Sequence, residues 1–209
     1  MNARRPGDEE RIRTLRERCL DRRAAVSPWG DWATLTARSL KASEGLSSWQ
    51  RRQGLKTRDR LAGLRLAVDD LELLAGRLMP RRECFSDAEE ADAREYLKGY
   101  PPAPGQTGHC ELDRTRLLAG GVDGVTQEVR ERRAQAATDE QAATYDSFLS
   151  ALEGLSALAE HAAKTAEAAM PAAPDWRREE LARMAAVCRW TAHRAPRSFH
   201  EGIQLLWLT

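Results

Sequence analysis

The sequence is short of most features that announce a function. Its four cysteines, Cys19, Cys84, Cys110 and Cys188, form no C-x-x-C pair and no Cys/His cluster, which argues against a disulfide framework or a structural zinc site and for reduced thiols. No metal site is expected. No apolar run approaches the ~20 residues of a transmembrane helix, and the start "MNARRPGDEERIR" has no apolar segment behind it, so it does not read as a signal peptide. Charge of one sign is missing too. Lys plus Arg is 33 against 32 for Asp plus Glu, a formal net charge of +1, and no global field favours nucleic acid or an anionic membrane. The expected protein is cytoplasmic, with neither nucleic acid nor membrane as partner.

What is present is a helical rhythm. With 209 residues and 42% hydrophobic content, the chain can bury one sizeable core or two small ones. Ile12, Leu15 and Cys19 make one face of a first helix. Trp32, Leu35 and Ser39 open a second, stopped at Gly45, and Trp49 and Leu55 begin a third. "AVDDLELLAG" reads as a short turn or strand closed by Gly76. From Met79 to Gly108 the rhythm weakens, and "KGYPPAPGQTGH" sets three prolines and three glycines in twelve residues, which is loop chemistry. Leu117, Gly121, Val125 and Val129 resume a stripe. A longer Ala-rich helix carries Tyr145, Phe148, Leu149, Leu152, Leu155 and Ala159. "MPAAPDW" breaks it, and Asp175 is the expected cap of the next helix, with Leu181, Met184, Ala185 and Cys188 inside.

The end of the chain poses a problem. Ser198 and Glu201 have capping-box spacing, so a helix is expected from about Ser198. Ile203, Leu205, Leu206, Trp207 and Leu208 then cover nearly every face with apolar surface, the pattern of a helix surrounded by protein. No stop signal follows before Thr209. The division expected is a helical segment at 1–78, an irregular linker and loop at 79–110, and a helical segment at 111–209.

Particular words in a particular order narrow the reading. "ERIRTLRERCL", "LTARSLKASEG", "RRQGLKTRDRL" and "DLELLAG" follow one another, then "TGHCELDRTRLLAGGVDGV" and "RREELARMAAVCRWTAHRAPRSFHEGIQLLWLT". In that order they resemble the opening of the glycyl radical enzymes, the pyruvate formate-lyase and diol or glycerol dehydratase superfamily. The family words are a "TES-K--EG" segment, an "RRA" helix, "ELIVG", "GH--PDY--VL--GL-GI" and "RR-EL--IA-VC--VP--PARTFHEALQ-LWF". The resemblance implies a mainly α-helical N-terminal region of a larger α/β enzyme built on a ten-stranded barrel, with this chain as about its first quarter. It also offers a reason for the all-apolar last helix, whose partners would lie in the barrel.

The resemblance further implies radical carbon–carbon or carbon–oxygen bond cleavage in a small oxygenated metabolite under anaerobic conditions. The parent's glycyl radical would be installed by a radical S-adenosylmethionine activating enzyme and passed to a barrel cysteine. No cysteine here falls in the catalytic-cysteine motif, and no Gly lies in an "R-V-x-G-Y" context. No catalytic residue and no bound cofactor are therefore expected on this chain, which should be inactive alone. A homodimer is the family habit. Substrate assignment stays open, because the longer "YW-GK" insertion of the dehydratases is replaced here by about thirty residues.

One site residue carries over. The His of the family's "GH" word, which contacts the substrate hydroxyl in dehydratase-type members, aligns with His109. An imidazole in a Gly-rich loop can donate to a departing hydroxyl; the other reading of His109 is an exposed loop histidine. Asp113 matches the Asp of "PDY", but Arg114 replaces the Tyr, and Asp113 then reads as a helix cap. His200 reads as a packed framework residue, His161 and Glu160 as residues without an obvious partner. The six tryptophans read as core or interface anchors. Arg51, Arg52 and the run from Arg130 to Arg133 read as solvated or salt-bridging. A rival reading is a non-catalytic helical interaction module derived from the same scaffold. An open reading frame past codon 209 that reaches both radical-bearing words would favour the enzyme, and a natural stop codon the module.

Overall fold

The longest apolar-and-alanine stretch of the sequence organises the fold. The computed structural model describes residues 5–22, 28–79, 84–100 and 113–209. Its helices are α1 (Asp8–Arg22), α2 (Pro28–Ala42), α3 (Trp49–Gly63), α4 (Asp87–Leu97), α5 (Thr115–Ala134), α6 (Asp139–Ala169), α7 (Asp175–Thr191) and α8 (Phe199–Leu208), with a 3-10 turn at Met170–Ala172. Two short strands, β1 (Leu66–Ala67) and β2 (Arg77–Leu78), pair antiparallel, Leu66 opposite Leu78 and Ala67 opposite Arg77. They bracket the "AVDDLELLAG" loop, and Gly76 turns the chain there with φ 105°.

α6 is the central helix, packed against α3, α5 and α7. Leu158, Ala159, Ala162, Ala163 and Ala166 make its buried face and meet Leu181, Met184, Ala185 and Cys188 of α7. Small residues bring the helix axes close. At the α3–α6 crossing a Cβ on Gly54 would lie 2.5 Å from the Ser147 Cα, and one on Gly154 would lie 2.6 Å from the Arg58 Cα. The stripe expected along α6 is shifted: Phe148 is 50% exposed while the alanines carry the core.

Other expectations are also corrected. α1 is a helix, but it faces the other way: Arg11 is buried, whereas Ile12 is 66% exposed and Cys19 lies on the surface. The arginine wins the interior because fixed carboxylates await it there. Within the stretch read as irregular, α4 forms behind a complete capping box of Ser86 and Glu89. It packs on α2 partly through ion pairs, Arg38 with Glu89 and Lys41 with Asp92, both 2.6 Å, which leave no apolar rhythm to read. Asp175 is not the cap of α7. Pro174 holds that position without a side-chain bond, and Asp175 is the first helical residue, paired with Arg178 at 2.9 Å.

The last helix begins where expected, with the Ser198 hydroxyl accepting from the Glu201 N–H. Its partners are not all missing, however. Glu201, Gln204, Leu205 and Leu208 are buried against the chain's own core. The Gln204 amide accepts from Ala75 N–H and donates to Ala75 C=O, both 2.9 Å, closing a two-bond clasp on the loop before β2. Only the opposite face is bare: Phe199 is 85% exposed and Trp207 57%.

Candidate functional site

His109 lies outside the described residues, as does Cys110. The described chain on either side of that loop is firmly held. On the upstream side Arg52 donates to the Tyr100 hydroxyl at 2.9 Å, and Tyr100 and Tyr96 hydroxyls are 2.8 Å apart. Tyr96 donates in turn to the Glu44 carboxylate. Desolvation first, then the bond to Glu44, pushes the Tyr96 hydroxyl up from its ordinary pKa, so it stays a donor. On the downstream side Asp113 accepts from the Thr115 N–H at 2.9 Å, satisfying an orphan donor of α5, and hydrogen bonding from the Thr115 side chain first, then from its N–H, depresses the Asp113 pKa. Arg114 occupies the cap position itself. Its Nε donates to the Thr209 hydroxyl at 3.1 Å, so the chain leaving the His109 loop is tied to the end of α8.

Two features stand out elsewhere. A cleft of about 400 Å³ opens between the Leu73–Leu74 loop, α7 and α8, walled by Trp176, Met184, Phe199 and Ile203. His200 is at its edge with Nε2 3.0 Å from the Leu73 carbonyl oxygen, a framework bond in keeping with its expected role. Glu180, on the cleft wall, is the centre of a largely buried ionic network. Glu180 accepts from Arg11 at 2.9 and 2.7 Å and from Arg177 at 2.8 Å. Arg177 also donates to the Asp69 carbonyl oxygen, and Asp69 pairs with Arg18 at 2.8 Å. Hydrogen bonding from Arg11, foremost, holds the Glu180 carboxyl down to about 2, so near neutral pH it is a fixed anion and no proton donor.

The network was not readable as a site. Arg177 and Glu180 sit three apart in "RREEL", but Arg11 is 169 residues away in sequence. Glu160, expected without a partner, is paired with Arg189 at 2.8 Å. Of the arginines read as solvated or salt-bridging, Arg51 and Arg133 both reach Asp146, at 3.0 and 2.9 Å, and Arg132 reaches Glu128 at 2.9 Å, while Arg52 donates instead to the Leu40 carbonyl and the Tyr100 hydroxyl. Trp190 lies under two guanidinium groups, Arg197 at 3.4 Å and Arg194 at 4.6 Å.

Among the described residues no group of three His, Cys, Asp or Glu side chains could hold a metal ion. Cys188 is fully enclosed, and burial pushes its thiol up to about 12; Cys84 is buried and Cys19 is on the surface. No described helix is long and apolar enough to cross a membrane.

The architecture is that of a helical scaffold clamped by ion pairs and small-residue packing. The sequence matches the family described as Pyruvate formate lyase-like over residues 80–209, and the chain belongs to that family. Among curated proteins no sequence matches it. Its fold is similar to that of the B12-independent glycerol dehydratase from Clostridium butyricum, solved with glycerol bound, at a TM-score of 0.79 and 19% identity over 100% of this chain and 34% of that one. It is also similar to a structure describing 1,2-propanediol dehydration in Roseburia inulinivorans (TM-score 0.72, 20% identity, 85% of this chain and 29% of the other). A glycyl radical enzyme from Archaeoglobus fulgidus superposes with a TM-score of 0.64 at 19% identity, over 85% of this chain and 31% of the other. The chain thus spans about a third of the length of these enzymes, rather than a quarter.

Proposed function

We propose that this chain is the N-terminal scaffold of a formate-lyase or dehydratase-like glycyl radical enzyme. The complete enzyme would cleave a carbon–carbon or carbon–oxygen bond in a small oxygenated metabolite, in an anaerobic cytoplasm and as a homodimer. The observation that carries this reading is the superposition of the whole chain on the glycerol dehydratase fold, joined to the family match over residues 80–209. In the parent, a glycyl radical installed by a radical S-adenosylmethionine activating enzyme supplies hydrogen-atom abstraction. The scaffold supplies walls and position. His109 is the one residue of this chain proposed to reach substrate, donating a hydrogen bond to the reacting hydroxyl from a loop anchored at Tyr100 and Arg114.

Two results test this. Incubated anaerobically with an activating enzyme, reductant and S-adenosylmethionine, the isolated chain is expected to give no glycyl doublet in the electron paramagnetic resonance spectrum. A doublet with large α-hydrogen coupling would overturn the view that this chain is inactive alone. In the full-length parent, His109→Ala removes a bond that strengthens as the hydroxyl departs in a dry pocket, at a cost of about 2–4 kcal/mol, or roughly thirty- to a thousandfold in turnover. Radical content should stay unchanged. Normal turnover in that variant would make His109 an ordinary surface histidine.

A further inference from the structure

Two cations on α3 lack, among the described residues, the carboxylate partners that Arg11, Arg18, Arg77 and Arg177 have. Lys56 and Arg60, four residues apart, share one helix face. The Arg60 guanidinium lies 4.0 Å from the centroid of the Trp32 ring on α2, and the Lys56 ammonium donates to the Gln53 side-chain oxygen. Among the described residues no carboxylate is within ion-pair distance of either. The neighbouring acid on α3, Asp59, is engaged by Arg58 at 2.8 Å and by the Ser39 hydroxyl at 2.6 Å.

Such a pair is unfavourable as it stands. Like charges at this spacing repel, and both groups are partly withdrawn from water. Burial lowers the pKa of each, and Arg60 lowers that of Lys56 further. Contact with the Trp32 ring occupies one region of the guanidinium, and among the described residues its five N–H donors have no acceptor; they suit a planar or tetrahedral oxyanion. A dianion would neutralise both charges at once, where a single carboxylate would neutralise one. The ring itself is 38% exposed, leaving apolar surface beside the anion for an organic substituent.

We infer that Lys56 and Arg60, beside Trp32, form a binding site for a phosphate dianion, free or carried on a small molecule as a phosphomonoester. The test uses the 209-residue chain. Inorganic phosphate is titrated at constant ionic strength against chloride, following the 13C resonance of the Lys56 ε-methylene and heat release by calorimetry. Saturable binding is expected, with a rise in the Lys56 pKa. K56Q and R60Q should each weaken it by at least about tenfold, since each removes a charge-assisted bond, while R16Q, the same charge change on the exposed face of α1, leaves it unaltered. Circular dichroism checks that each variant is folded; if R60Q is not, wild type, K56Q and R16Q decide. Methyl phosphate, titrated in parallel, separates the sources: tighter binding than phosphate assigns the site to phosphomonoesters, weaker binding to the free anion. Failure of phosphate to saturate, or equal losses in R16Q and K56Q, would overturn the site in favour of general ionic association.

Discussion

Glu180→Ala should destabilise the folded chain by about 3–5 kcal/mol, the cost of stranding buried charge when one partner of a buried ion pair is removed. Two guanidinium groups depend on this one carboxylate, and neither can turn to water: Arg11 is 5% and Arg177 2% exposed. For a chain of this size the loss corresponds to roughly 6–20 °C in melting temperature, readable by circular dichroism or calorimetry. The effect should depend on pH with a definite sign. Because the folded carboxyl is held down to about 2, its stabilisation is complete above the ordinary carboxylate pKa of ~4.3 and is lost as pH falls toward 2. The gap between parent and variant should therefore narrow below about pH 4. Released from Glu180, α1 should also become the first site of tryptic cleavage, at Arg13 or Arg16. A variant that melts within a degree or two of the parent at neutral pH would show that the network is solvated and contributes little.

That network marks the limit of what the sequence could say about the fold. Helix positions follow from local rules, and those were legible: the Ser198 cap, the Gly76 turn and the alanine-rich α6 all came from residues close in sequence. Facing is decided elsewhere. Ile12 and Cys19 looked like the inner face of α1, but the alternative inner face carries Arg11, whose value depends on Glu180 and on the Leu71 carbonyl brought in by folding. α4 was missed for a related reason. Ser86 and Glu89 spelled its cap, yet its contacts include the charged pairs to Arg38 and Lys41, which periodicity cannot register. The family was legible because it rested on ordered words rather than on periodicity. His109 came from the same source, and the described structure gives it only anchored flanks.

Gly121 shows the same limit in the backbone, and its replacement is the other change with a large expected effect. In sequence it continued the α5 stripe as an ordinary helical position. In the structure it interrupts the helix with φ 67° and ψ −178°, a conformation essentially reserved for glycine. A Cβ there would lie 2.3 Å from the Arg194 carbonyl carbon and 2.4 Å from the Ala195 nitrogen. Both contacts are backbone, so no side chain can swing aside. Immediately beyond the kink the Asp123 N–H donates to the His193 carbonyl at 2.8 Å, and the Ser156 hydroxyl of α6 donates to the Ala192 carbonyl at 2.7 Å. The kink thus docks α5 onto the connection that aims α8. Gly121→Ala incurs backbone strain and overpacking, each about 1–3 kcal/mol, and should lower the melting temperature by several degrees or more. Gly124→Ala is the control, since nothing lies within 4 Å of its added Cβ. There the gain in helix propensity predicts stabilisation by up to ~1 kcal/mol. Because α8 carries Thr209, the partner of Arg114, the Gly121 variant should also loosen the downstream anchor of the His109 loop, raising amide hydrogen exchange at Thr115 and Arg116. Equal stabilities for the two alanine variants would mean that the chain relaxes at the kink, and that α5 does not set the direction of α8.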